Sequence, residues 1–175
     1  LHSDNAMFFQ IADIIGADAL LCRVASYFHD VGKLEHPLYF TENQEGYNPH
    51  DDISPTRSAE IITSHTVDGV ALGKKSNLPK PIIDIISEHH GNSYPSYFYR
   101  KACDQAAANG VPAPSAKDFS YSGLIPQTKE SAIIMLADIC EATLKSKKDK
   151  ISFKTKSNNL ISKGSLDKVN CTSTL

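Results

Sequence analysis

The chain is expected to be all-α, a helical bundle joined by long ordered loops. Apolar residues recur at helical spacing in five separate stretches, and most of these stretches start at a capping residue or a proline. Glycine ends several of them, and the intervening segments are rich in Pro, Asn, Asp and Gly. No segment repeats another.

Residues 2–15 (HSDNAMFFQIADII) set Ala6, Met7, Phe9, Ile11, Ile14 and Ile15 roughly along one stripe, ended by Gly16. Asp18 is placed to cap a second helix, ALLCRVASYFHD, with Leu20, Val24 and Phe28 on one face. Gly32 and Lys33 end that helix, so His29 and Asp30 are expected in its last turn. Residues 35–56 read as a long ordered loop, of a length that in compact domains serves as a lid or a binding loop. Ser54-Pro55 precede a third helix over 55–75, which carries His65. Pro79 and Pro81 open a fourth, PIIDIISEHHG, with His89 and His90 in its last turn and Gly91 as its stop. Residues 92–126 are expected to be irregular, starting with a Tyr-rich run. A strong helix then spans about Thr128 to Lys147, capped by Thr128, with Ile133, Leu136, Ala137, Cys140 and Leu144 on its buried face and Asp138 beside it. The polar tail, 151–175, is assigned a short helix or strand as an extension of the 1–150 domain.

At 175 residues the chain has room for one domain with a sizeable core. Its 41% hydrophobic and 22% charged content is that of an ordinary soluble protein. A net charge of −2 offers no basic surface to long nucleic acid, but is compatible with a small anionic ligand. The four cysteines form no CxxC pair; Cys22 and Cys140 are expected in the core, in keeping with a reducing cytosol. No uncharged run approaches the ~18 residues that span a bilayer, and no signal peptide is visible. Because Leu1-His2-Ser3 opens within helix-like sequence, the chain is expected to be excised from a longer protein.

The chemistry is concentrated in histidines and aspartates: His2, His29-Asp30, His65, His89-His90 and Asp138. Imidazole and carboxylate without thiolate suit Mn²⁺, Fe²⁺ or a similar divalent ion better than a structural zinc. Seven donors exceed the needs of one ion, which points to two ions sharing a bridging carboxylate, the arrangement used for in-line displacement at phosphorus. Individually, several of these residues have other uses. His29 suits a helix C-terminus, His65 an ordinary helical position, and a His-His doublet can be half core and half surface. Asp138 is the most telling, because a carboxylate among Ile134, Met135, Leu136 and Ile139 needs a cation or strong donors.

The HD-x-GK motif, the lone helical histidine, the His-His pair and the late Asp in IIMLAD together resemble the HD-domain metallophosphohydrolases. YFHDVGKLEHPLYFTENQ, NPHDDISP, ITSHTVDGV, LPKPIIDIISEHHG and PQTKESAIIMLADICEA resemble one branch more closely. That branch is the cytosolic domain of bacterial seven-transmembrane HD-domain proteins, characterised by cyclic di-AMP hydrolysis. The likeness runs from Leu1 to about Lys150; the tail matches only around Gly164 to Asp167. It implies that His2, His29, Asp30 and Asp138 hold one ion, and that His65, His89 and His90 hold the other with Asp30 bridging. The ions would be Mn²⁺ or Fe²⁺/Fe³⁺, and the product linear pApA.

By the same resemblance, Asp30 and Lys33 are the catalytic residues, with hydroxide formed between the metals and Lys33 as a fixed positive charge at the phosphoryl oxygens. The competing use for Lys33 is a solvated lysine completing the helix end. The loop aromatics Tyr39, Phe40 and Tyr47 and the cluster Tyr94, Tyr97, Phe98 and Tyr99 are candidates to stack adenine, and Asn43, Asn48, His50 and Arg57 to meet base edges or phosphate; the aromatics can equally pack the loops onto the bundle. The parent protein would sit in the cell membrane with this domain in the cytoplasm, and a homodimer is left open. Competing assignments are hydrolysis of cyclic di-GMP or a mononucleotide, or a non-catalytic nucleotide-sensing module. GNSYP after the His-His pair differs from the Gly-Tyr-Pro signature of the cyclic di-GMP branch.

Overall fold

The computed structural model describes residues 5–144. His2 and the 151–175 tail therefore lie outside the described residues, as does the end of the last helix. Among the described residues there are helices, 3-10 turns and loops, and no strand.

Helix α1 (Asn5–Ile14) and α2 (Ala19–Phe28) open the chain and pack against each other. Asp18 caps α2 as its position dictates, accepting from the Leu21 backbone N–H at 2.9 Å. Its own N–H donates to Glu130 Oε1 at 2.8 Å, tying this corner to the last helical stretch. The buried face of α2 is Cys22 and Ala25, whereas Leu20 is 70% exposed. The stripe through Leu20, Val24 and Phe28 is thus not the core face. Small side chains occupy the row of closest approach to Ile85, Ile133 and Ile134, because two helices pack nearest where the interposed groups are small.

The loop after α2 is ordered as expected, built from 3-10 turns at Val31–Glu35, Pro37–Tyr39, Thr41–Asn43 and Pro49–Asp51. Ser54 caps α3 (Pro55–Lys75), accepting from Arg57 N–H at 3.1 Å, with Pro55 at the first helical position. Helix α4 (Lys80–Glu88) follows, with Pro81 in its first turn.

Residues 92–126 differ from the irregular segment expected. They contain α5 (Ser96–Ala108) and a 3-10 turn at Ala116–Phe119. The buried stripe of α5 is Phe98, Ala102 and Ala106. One aromatic and two alanines at i, i+4 and i+8 make a faint apolar signal beside the exposed Tyr97 and the Pro/Gly-rich segment that follows. Phe98, Ala102 and Phe119 pack with Ala59 as a second core cluster.

Residues 129–144 are helical, with Thr128 Oγ1 accepting from Ser131 N–H at 3.1 Å as the cap. Ser131, Ile133 and Ile134 are buried, but Leu136 is 57% exposed, Leu144 51%, and Cys140 is exposed. The expected face and the core placement of Cys140 are corrected accordingly. A buried serine occupies a core position, which rotates the true face from the one that apolar residues alone would mark. Within this stretch the chain divides into two compact units, Leu1–Ala137 and Asp138–Leu175.

In the first unit, the Val31–Glu35 turn lies flat on α3. A Cβ on Gly32 would fall 1.9 Å from the His65 carbonyl oxygen and 2.4 Å from Gly69 N, so only glycine permits this approach. The contact brings the start of the loop beside the middle of α3.

Candidate metal centre

Helix α2 ends at Phe28, and His29 is its C-cap, its N–H donating to Ala25 O at 2.8 Å. Asp30 leads the next turn, so the pair follows the helix rather than occupying its last turn. Likewise α4 ends at Glu88, and His89 and His90 follow it. Gly91, at φ +56°, turns the chain away immediately afterwards. The Glu88 carboxylate is buried and accepts from Gln127 N–H at 3.0 Å, pinning the preceding loop to the His-His turn. His65 comes from the middle of α3.

The structure brings Asp30, His65, His89 and His90 together, with one donor atom from each within 4.8 Å of the others. His89 is 0% and His65 2% exposed. Both rings are oriented by their own helices: His65 Nδ1 lies 2.6 Å from Ile62 O and His89 Nδ1 2.8 Å from Ile86 O. A carbonyl oxygen only accepts, so each Nδ1 carries the hydrogen and each Nε2 is left to the site. His29 repeats the pattern, with Nδ1 3.0 Å from Ser26 O and Nε2 3.2 Å from Asp30 Oδ2.

The Nε2 atoms of His65 and His89 meet at 3.2 Å, with Asp30 Oδ1 3.4 Å and 3.7 Å from them. Burial drives the His65 ring down to about 4, against the opposing pull of Asp30. His90 is pushed down to about 2, by burial first and then by the neighbouring His89 and His65. Burial works against the Asp30 charge, yet the adjacent His29 and His89 side chains and the Lys33 ammonium together hold it well below the usual carboxylate range. An ionised carboxylate thus faces the His65 and His90 rings, both held neutral, with the Nε2 atoms of His65 and His89 converging beside it, a donor set suited to a divalent cation. His90 is braced by Tyr121, whose ring stacks on it at 4.3 Å between centroids and 23° between planes. Tyr121 carries no periodic signal in the sequence, and only the folded loop reveals its place.

Lys33 Nζ lies 2.8 Å from Asp30 Oδ2 and 3.1 Å from Glu42 Oε1. Its ammonium also sits 5.1 Å from the centre of the Phe40 ring. Lys33 is therefore not a solvated helix end. Burial favours its neutral form, but the two carboxylates outweigh burial and raise its pKa above the ordinary lysine value.

The remaining sequence candidates have varied surroundings. Tyr39 gives its carbonyl to His50 Nε2 at 2.8 Å, and His50 is buried against Phe98 with ring centres 4.6 Å apart. Asn48 accepts from His50 N–H at 3.1 Å, while Asn43 donates to Pro37 O at 3.1 Å. These groups brace the loop. Arg57 pairs with Glu60 on the surface at 2.8 Å, and Tyr94 is exposed with its ring edge on Tyr99. Asp138 is the first residue of the second unit.

Comparison with known proteins agrees with the class that this fold and donor set define. The HD domain family matches residues 6–143, and the chain belongs to that family. Among curated relatives it is 48% identical over 136 residues to the cyclic-di-AMP phosphodiesterase PgpH of Listeria monocytogenes, covering 77% of this chain and 18% of that protein. It is 43% identical over 135 residues to PgpH of Bacillus subtilis, again covering 77% of this chain and 18% of the relative. The chain thus spans under a fifth of these relatives' length. A crystal structure of the L. monocytogenes PgpH HD domain in complex with cyclic-di-AMP superposes with a TM-score of 0.74 at 45% identity, covering 82% of this chain and 65% of that one. Among the described residues, no helix is long and apolar enough to cross a membrane.

Proposed function

We propose that this domain is a metal-dependent phosphodiesterase that hydrolyses cyclic di-AMP to linear pApA. The observation that carries the proposal is the convergence of Asp30, His65, His89 and His90. The likeness to two cyclic-di-AMP phosphodiesterases supports the choice of substrate. In this account His65, His89 and His90 hold one ion, and His2, His29 and Asp138 hold the other, with Asp30 shared between them. Mn²⁺ or iron best suits such a nitrogen and oxygen set. Bound there, two divalent ions supply an activated water near neutral pH and a positive field for the phosphoryl oxygens.

The chain's own residues do the rest. The carbonyls of Ile62 and Ile86 fix the tautomers of His65 and His89, so their Nε2 atoms need no reorientation to serve as ligands. Lys33, a fixed positive charge at the edge of the site, offsets negative charge that develops on the phosphoryl group. Tyr94 offers an exposed ring for a base, with Tyr39 and Arg57 as further contacts at the loop. The parent protein is membrane-embedded in this account, with the domain in the cytoplasm.

The test is incubation of the Mn²⁺-loaded domain with cyclic di-AMP and cyclic di-GMP in parallel, with products followed by chromatography. Conversion of cyclic di-AMP to pApA, abolished by chelator, is expected. Binding of metal without turnover of either dinucleotide would reject the assignment.

A further inference from the structure

We propose that Glu42 is the positioning residue that holds Lys33 at the site once Asp30 is engaged by metal. This rests on the function proposed above. Lys33 has two anionic partners in the structure, Asp30 and Glu42. If Asp30 is the shared ligand, its oxygens are committed to the ions, and Lys33 loses its nearer partner. The same ions repel an ammonium group, an effect strong where water is scarce. Glu42 is then the anion that keeps the charge from swinging out.

Several independent features suit Glu42 to that task. It sits in the middle of the Thr41–Asn43 turn, next to Phe40. Phe40 is buried and sets its ring edge-on against His65 at 5.8 Å between centroids. Asn43 closes the turn, its N–H donating to Phe40 O at 2.9 Å and its Nδ2 to Pro37 O at 3.1 Å. One turn of the long loop therefore braces a candidate ligand through Phe40 and Lys33 through Glu42. The Glu42 side chain is 46% exposed, and an ion pair so open to water adds little to fold stability. Its consequence is the direction of the Lys33 ammonium.

The variant Glu42→Gln keeps the size of the side chain and removes its charge. In full-chain protein loaded with Mn²⁺, kcat for cyclic di-AMP is expected to fall about tenfold, with KM within about twofold. Metal content by elemental analysis should match the wild type, and Glu42→Asp should restore most of kcat. The loss should vanish in a Lys33→Ala background, since a residue acting through Lys33 has nothing left to position.

A second readout is independent of turnover: side-chain ¹⁵N NMR of the Lys33 ammonium in protein loaded with diamagnetic Mg²⁺. An ordered Lys33 signal in the wild type should acquire the mobility of a free lysine in Glu42→Gln. A Lys33 equally ordered in both proteins, or an equal loss of kcat with and without Lys33, would overturn the proposal. Wild-type protein that fails to turn over cyclic di-AMP, but loses Lys33 order in Glu42→Gln, would reject the functional assignment and keep this one.

Discussion

At the scale of single residues, the site is governed by which groups are charged. His65, held down to about 4, stays neutral in the folded protein across a range where an unfolded histidine, near 6.5, takes up a proton. Between those values the unfolded chain binds more protons than the native one, so the metal-free protein loses stability as pH falls. His65 alone contributes a loss on the order of 3 kcal/mol by pH 4. His90, held down to about 2, acts in the same sense over the same window and continues below it. Asp30 titrates lower still than an ordinary carboxylate, so its stabilisation persists through this range and fades only in stronger acid. Thermal unfolding of chelator-treated protein should show Tm falling by several degrees from pH 6.5 to 4.5; a flat Tm would contradict the neutral-histidine site. Most of this chemistry was legible in the sequence. His29-Asp30, His65 and His89-His90 are rare residue types in helical or helix-end positions. Glu42 and Tyr121 were not legible as partners, because an acid in a polar loop and a tyrosine between serines look like surface until the fold sets them against Lys33 and His90.

Among the elements, the decisive contact is between the turn after α2 and the middle of α3. Gly32 leaves no room for a side chain between His65 O and Gly69 N. The Cβ of Gly32→Ala would meet backbone on both counts, and backbone cannot rotate away as a side chain would. We expect destabilisation of roughly 3 kcal/mol or more in urea denaturation, with weakened metal binding because Asp30 is displaced from His65. A change under about 0.5 kcal/mol would show that the two elements part easily. From the sequence, Gly32 was visible as a helix stop and as the glycine of the HD-x-GK motif. Its closer purpose is a contact with residues more than thirty positions away, which no local pattern encodes. The helix boundaries set by Asp18, Ser54 and Thr128 were readable because capping is local chemistry. α5 was not, because its buried stripe of one phenylalanine and two alanines stands out only against the cluster it completes.

For the molecule as a whole, membership of the HD domain family accords with the all-helical fold and with the converging donors. The second unit and His2 contribute to the account through residue chemistry alone: an acid in an apolar helix and an imidazole near the chain start. Substrate identity belongs to this scale too, since ligands that hold metal do not read bases. The central claim is that Asp30 is shared between two ions, and metal stoichiometry tests it most directly. Protein reconstituted with Mn²⁺, desalted and measured by elemental analysis should hold two ions per chain. Asp30→Ala, with its helical circular dichroism retained, should hold fewer than one and lose at least a thousandfold in kcat, a loss of about 4 kcal/mol of transition-state stabilisation. Two ions retained in Asp30→Ala, or turnover unchanged, would contradict the claim.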